Sequence, residues 1–229
     1  MTTLRYSAAL FDLDGTLIDS AQDLVASVRY ALARVFPERE PPDAEDILAQ
    51  VGKPLEVIVR ELGYQADDEH VRHFVDTYRA RYAEHFDDHT KPYPGVEELL
   101  VGLKAAGVKL AVVTTKHQSQ AEFTLAGSGL ARYFDYVHGW LEGREHKPHP
   151  EPVLSALSRL GVQPGAAVMV GDSELDIEAA KTAGVATCAV TYGFRPAWFL
   201  HAFKPDYLVA SPADILPIVV HATIETGKP

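Results

Sequence analysis

Ala-Ala-Leu-Phe-Asp-Leu-Asp-Gly-Thr, residues 8–16, is the stretch on which the fold turns. Residues 8–13 read as a strand, and its first four residues are apolar without alternation, as expected of a strand buried on both faces of a sheet. Asp12 and Asp14 follow at period-two spacing as that strand ends. Gly15 then lets the backbone turn sharply, so that its amide and that of Leu13 can face an incoming oxyanion. Asp-Gly by itself is a common turn pair. Two carboxylates at the mouth of a buried strand are a stronger signal, because they repel each other unless a cation or a proton intervenes.

Working outward, further short apolar runs at residues 108–114, 133–137, 166–170 and 185–190 read as buried strands, with 207–210 a weaker one. Helical patterns at 95–106, 117–128, 151–160 and 174–183 separate them, and Gly107, Gly129, Gly161 and Gly184 stand at their ends as C-caps. Strands alternating with such helices predict an α/β fold with an open, mostly parallel sheet. The first crossover breaks the rhythm. Between Ser20 and His89 there is no convincing strand, only helical patterns at 21–36, 44–50, 55–62 and 70–86. That is far too long for an ordinary β–α connection. We therefore expect an all-helical domain, residues 19–89, inserted into a core made of residues 1–18 and 90–229. Residues 225–229 read as a frayed tail.

The composition excludes several classes. A formal net charge of −11 argues against a nucleic-acid footprint, which needs a basic face. No run approaches 18 apolar residues, and the opening residues show no apolar leader, so a cytoplasmic protein with no membrane partner is expected. The one cysteine, Cys188, fits a reducing compartment. The ten histidines show neither HExxH nor paired Cys/His spacing, which argues against zinc.

In open α/β sheets, ligands bind beyond the carboxyl ends of the strands. Those ends carry Asp12-Leu13-Asp14-Gly15, then Thr114-Thr115-Lys116, then Lys147 in a long loop, then Gly171-Asp172-Ser173 with Asp176 a turn later. The four carboxylates with Lys147 and the Thr114 and Thr115 hydroxyls suit a hard divalent cation and a phosphoryl group. With Mg²⁺ and Lys147 set against the four aspartates, one negative charge is left over. A proton on Asp14 would remove it and make Asp14 an acid–base group.

FDLDGT at residues 11–16, Thr114-Thr115, Lys147-Pro148 and Gly171-Asp172-Ser173 with Asp176 resemble the four motifs of the haloacid dehalogenase superfamily. FDLDGTLIDS followed by a helical insert, PYPGV at 92–96 and GDSELDIEAAKTAG at 171–184 resemble its phosphoglycolate phosphatase-like branch. The resemblance implies a Rossmann-like core with an inserted all-helical cap domain, and a Mg²⁺-dependent phosphatase. It makes Asp12 the nucleophile and Asp14 the general acid–base. Thr114 would donate to the phosphoryl oxygens, and Lys147 would neutralise nucleophile and phosphate. The metal would be held by Asp12, the Asp14 carbonyl, Asp172 and Asp176.

Thr115 stands where the family often has asparagine, which puts any contact there in doubt. In the cap, Lys53, in Val51-Gly52-Lys53-Pro54, is the candidate for pairing with a substrate carboxylate. The substrate implied is a small phosphorylated metabolite, first a carboxylated one such as 2-phosphoglycolate, with other phosphomonoesters and pyrophosphate as alternatives. A phosphomutase or a non-catalytic binding module are the rival functions. The sequence leaves monomer against homodimer open, as it does any substrate contact by Arg144, His146 or Arg195.

Overall fold

The computed structural model describes residues 2–222; the tail read at 225–229 lies outside them. The strands are β1 (Thr2–Leu4), β2 (Ala8–Phe11), β3 (Ile18–Asp19), β4 (Lys91–Pro92), β5 (Lys109–His117), β6 (Tyr136–Trp140), β7 (Ala167–Gly171), β8 (Ala186–Val190), β9 (Tyr207–Val209) and β10 (Val220–Ala222). Six of them form one sheet in the order β6-β5-β2-β7-β8-β9, every pair parallel. The chain crosses over on either side of β2, which puts the Asp12–Gly15 turn at the topological switch point.

Four cap helices, α1 (Ala21–Val35), α2 (Ala44–Leu48), α3 (Leu55–Glu61) and α4 (Asp68–His85), lie between β3 and β4. The core helices are α5 (Val96–Ala105), α6 (Gln118–Gly127), α7 (Glu151–Leu160), α8 (Glu174–Thr182), α9 (Ala197–Ala202) and α10 (Leu216–Val219).

The unbroken apolar run of β2 is explained by helices on both faces. Ala9 and Phe11 join the core packed on α5 and α6, while Ala8 and Leu10 join the one packed on α7 and α8. Each fully buried Leu or Phe contributes roughly 1.5–3 kcal/mol, so β2 is anchored firmly where it delivers Asp12. The cap has a separate core, built from Leu24, Val28 and Leu32 of α1 against Phe74, Tyr78 and Tyr82 of α4. Phe194, from the loop after β8, packs into that cap core.

β2 stops at Phe11, short of the expected Leu13, and β5 and β6 are displaced further. β5 runs on to His117, through polar residues, because its end forms the mouth of the site and is not core; its register with β6 shifts between Val113 and His117. β6 begins at Tyr136, since Tyr133 ends a 3-10 turn (Ala131–Tyr133) and Tyr133 and Phe134 pack against the core from that turn. Among the described residues no helix is long and apolar enough to cross a membrane.

Candidate functional site

Asp12 leaves the end of β2 with its amide hydrogen-bonded to Val170 O at 2.9 Å, so the sheet itself fixes its backbone. Its Oδ1 accepts from the Leu13 amide at 2.7 Å and lies 3.0 Å from Lys147 Nζ. Lys147, fully buried, also donates to Val113 O at 2.8 Å and to Asp176 Oδ1 at 2.6 Å. Its ammonium therefore has a partner for each of its three protons. Burial works against that charge, but Asp12 and Asp176 outweigh it and raise the Lys147 pKa.

Asp172 ends β7 and accepts from the Phe194 amide at 2.7 Å. Asp176 lies in the first turn of α8 and closes a capping box with Ser173, accepting from its amide at 3.1 Å and its hydroxyl at 2.6 Å. Ligand oxygens of Asp12, Asp172 and Asp176 lie within 4.8 Å of one another, all buried. Their room depends on two glycines. Gly15 has φ 79°, and a Cβ there would run into the Asp172 carboxylate; a Cβ on Gly171 would run into that of Asp176.

So crowded a set of buried carboxylates resists ionisation. Burial pushes Asp12 up to about 6, only partly offset by Lys147. Burial, then the charges of Asp12 and Asp176, push Asp172 to about 8. One lysine does not neutralise the cluster. Three hard oxygen donors with unmet negative charge fit a divalent cation.

Asp14 faces elsewhere. Its Oδ1 accepts from Ser20 Oγ at 2.6 Å and from Lys116 Nζ at 2.8 Å, and its Oδ2 from the same ammonium at 2.9 Å. Lys116 adds one positive charge to the four aspartates, Mg²⁺ and Lys147. Including it leaves no surplus negative charge. Its signal was legible, since Lys116 closes the Thr114-Thr115-Lys116 run at the end of the same strand. Tyr82, which also accepts from Lys116, at 2.6 Å, lies in the cap and had no such signal.

The remaining candidates divide. Thr114 is buried beside Asp12 in a narrow cleft that Thr115, Lys147, Asp172 and Arg195 also line, and its Oγ1 accepts from the Lys116 amide at 3.2 Å. The amides assigned to an incoming oxyanion are already engaged. That of Leu13 donates to Asp12, and that of Gly15 donates to Ile18 O at 2.9 Å, because the turn closes tightly back on itself. Lys53 donates to Gln50 Oε1 at 2.8 Å within the cap, yet borders a cavity of about 460 Å³ between cap and core. Asp14, Lys116, Arg79, Arg144 and His146 line the same cavity. Arg195 does not reach into it; it donates to Glu174, Leu48 O and Val51 O at 3.1, 2.5 and 2.9 Å.

Comparison with known proteins agrees with this geometry. A family model described as haloacid dehalogenase-like hydrolase matches residues 9–190. Pyrophosphatase PpaX of Bacillus velezensis is 38% identical over 218 residues, covering 95% of this chain and 98% of that protein. Pyrophosphatase PpaX of a Bacillus cereus strain is 35% identical over 217 residues, with 94% and 97% covered. Among solved structures, a "predicted phosphoglycolate phosphatase" from Haemophilus somnus superposes with a TM-score of 0.85 at 31% identity, covering 93% of this chain and 98% of that one. The motif residues thus meet at the carboxyl ends of the sheet's central strands, within the span of the family match, and the chain belongs to the haloacid dehalogenase-like hydrolases, as a phosphatase.

Proposed function

We propose that the protein is a Mg²⁺-dependent pyrophosphatase that transfers a phosphoryl group to Asp12 and then to water. The observation carrying this reading is the Lys147 ammonium bridging Asp12 and Asp176, with Asp172 completing the carboxylate cluster, in a cleft that Asp14 also lines. Asp12 would attack phosphorus in line, with Lys147 and Thr114 compensating charge on the phosphoryl oxygens. Asp14 would then take a proton from the water that hydrolyses the aspartyl phosphate. Asp12, Asp172 and Asp176, with the Asp14 carbonyl, would hold Mg²⁺, which when bound supplies charge neutralisation for the transferred group.

For the substrate, the order given by the sequence is reversed. The motifs put a carboxylated monoester first, whereas the relatives at 38% and 35% identity over almost their whole length are pyrophosphatases. The site chemistry favours the same choice. Every contact made by the Asp14 carboxylate is with a donor, Ser20 or Lys116, the arrangement of a base more than of an acid. Phosphate is a far weaker base than an alkoxide and leaves with less need of a proton. Lys53, Arg79 and Arg144 give the cavity wall cations for a second phosphate.

The test is phosphate release from pyrophosphate and from 2-phosphoglycolate, side by side with Mg²⁺. We expect kcat/KM to be at least about tenfold higher for pyrophosphate, a difference of about 1.4 kcal/mol. The reverse preference would return the carboxylated monoester to first place.

A further inference from the structure

We propose that Lys116 is a positioning residue, which orients Asp14 for proton transfer and is itself set by Tyr82 of the cap. The inference rests on the acid–base role given to Asp14 above. Lys116 projects from the far end of β5 with only 5% of its side chain exposed. Its three protons go to Asp14 Oδ1 at 2.8 Å, Asp14 Oδ2 at 2.9 Å and Tyr82 Oη at 2.6 Å. The ammonium also lies 4.7 Å from the centroid of the Tyr82 ring, within cation–π range.

None of its donors is left for substrate, although Lys116 borders the cavity. A role in binding the leaving group would require breaking one of these bonds. A role in holding Asp14 requires nothing to change.

The grip comes from three parts of the chain. Lys116 belongs to a core strand. Ser20, whose hydroxyl donates to Asp14 Oδ1 at 2.6 Å, stands where the chain enters the cap. Tyr82 lies in α4, stacked on Tyr78 with ring centroids 5.5 Å apart and planes 8° from parallel, so its hydroxyl is rigidly placed. A lysine has four rotatable bonds and no fixed plane. The two-oxygen contact with Asp14 and the third bond to Tyr82 together supply the direction it lacks. A general base must present its lone pair within hydrogen-bond reach of the proton it takes, and a misplacement of about 1 Å costs about 10²-fold in rate. If the cap swings away, Tyr82 leaves with it, so cap closure and the readiness of Asp14 are one event.

The test is a double-mutant cycle in the full-length, Mg²⁺-loaded protein with pyrophosphate. Lys116→Met is expected to lower kcat about 10²-fold with KM changed less than about threefold. Tyr82→Phe, which keeps the ring and removes the hydroxyl, should lower kcat by about 3- to 10-fold. Lys116→Arg should recover part of the loss, because a guanidinium grips a carboxylate through two parallel bonds. The double variant Asp14→Asn with Lys116→Met should be no slower than Asp14→Asn alone, since both changes act through one carboxylate.

Losses that multiply in the double variant, or a raised KM with kcat unchanged, would overturn the proposal. If Lys116→Met does not fold, Tyr82→Phe in the Asp14→Asn background makes the same test. Full activity in Asp14→Asn would sink the acid–base role together with this proposal. An inactive Asp14→Asn beside a fully active Lys116→Met would sink this proposal alone.

Discussion

At the scale of single residues, Asp172 shows what the site demands. Its carboxyl is raised to about 8 and that of Asp12 to about 6, by burial and by mutual repulsion within the cluster. An acid whose folded pKa lies above its unfolded value binds protons better when folded, so stability falls as pH rises between the two. For Asp172 that window runs from 3.8 to about 8, and for Asp12 from 3.8 to about 6. A divalent cation replaces those protons and removes the penalty. Thermal unfolding should therefore show a larger upward shift with Mg²⁺ at about pH 8 than at about pH 5. Equal shifts at both pH values would mean that the metal does not sit on these carboxylates. Asp12, Asp172 and Lys147 were legible in the sequence because each stands just past a strand end or in the loop beyond one, and Asp176 because it lies in the first turn of the helix after β7. Lys116, which pairs with Asp14, was legible too, since it closes the Thr114-Thr115-Lys116 run at the end of β5.

At the scale of elements, the cap is tied to the core at two separate places. Near the crossing strands, Asp23 of α1 is buried and accepts from the His89 amide and ring and from the Thr90 amide and hydroxyl, at 2.8–3.0 Å. Burial alone would raise the Asp23 carboxyl, but these hydrogen bonds outweigh it and hold it below the usual range. On the other side, Arg195 clasps the carbonyls of Leu48 and Val51, and Phe194 donates to Asp172 while packing into the cap. Hydrogen bonds from a charged group are worth about 1.5–3 kcal/mol each. Arg195→Ala should thus speed amide exchange in α2 by about 10-fold or more while leaving β2 unchanged. Unaltered exchange in α2 would show that the clasp does not restrain the cap. The helices of the insert could be read from their periodicity, whereas the clasp could not. Its partners are backbone carbonyls more than 140 residues away, which carry no side-chain signature.

At the scale of the whole molecule, the alternation of strands and helices gave the layered core, and the long strandless stretch gave the cap, because both rest on burial patterns that single sequences display. The strand at residues 133–137 was placed too early, since apolar residues in a turn and in a strand are alike in composition. How an acidic chain, with a net charge of −11, receives an anion emerges only from the assembled fold. Lys147, from a loop, offsets charge on Asp12 and Asp176, Lys116, from the end of β5, offsets that of Asp14, and Arg79, Arg144 and Lys53 stand in the walls of the adjoining cavity.

In the proposed mechanism phosphorus becomes bonded to Asp12 in every turnover. Acid-quenching the protein during turnover of pyrophosphate with Mg²⁺, then sequencing its peptides by mass spectrometry, should find a phosphoryl adduct on Asp12. Asp12→Asn should show no adduct and lose at least about 10²-fold in rate. Rapid phosphate release with no adduct at any time point, or near-normal turnover by Asp12→Asn, would contradict it.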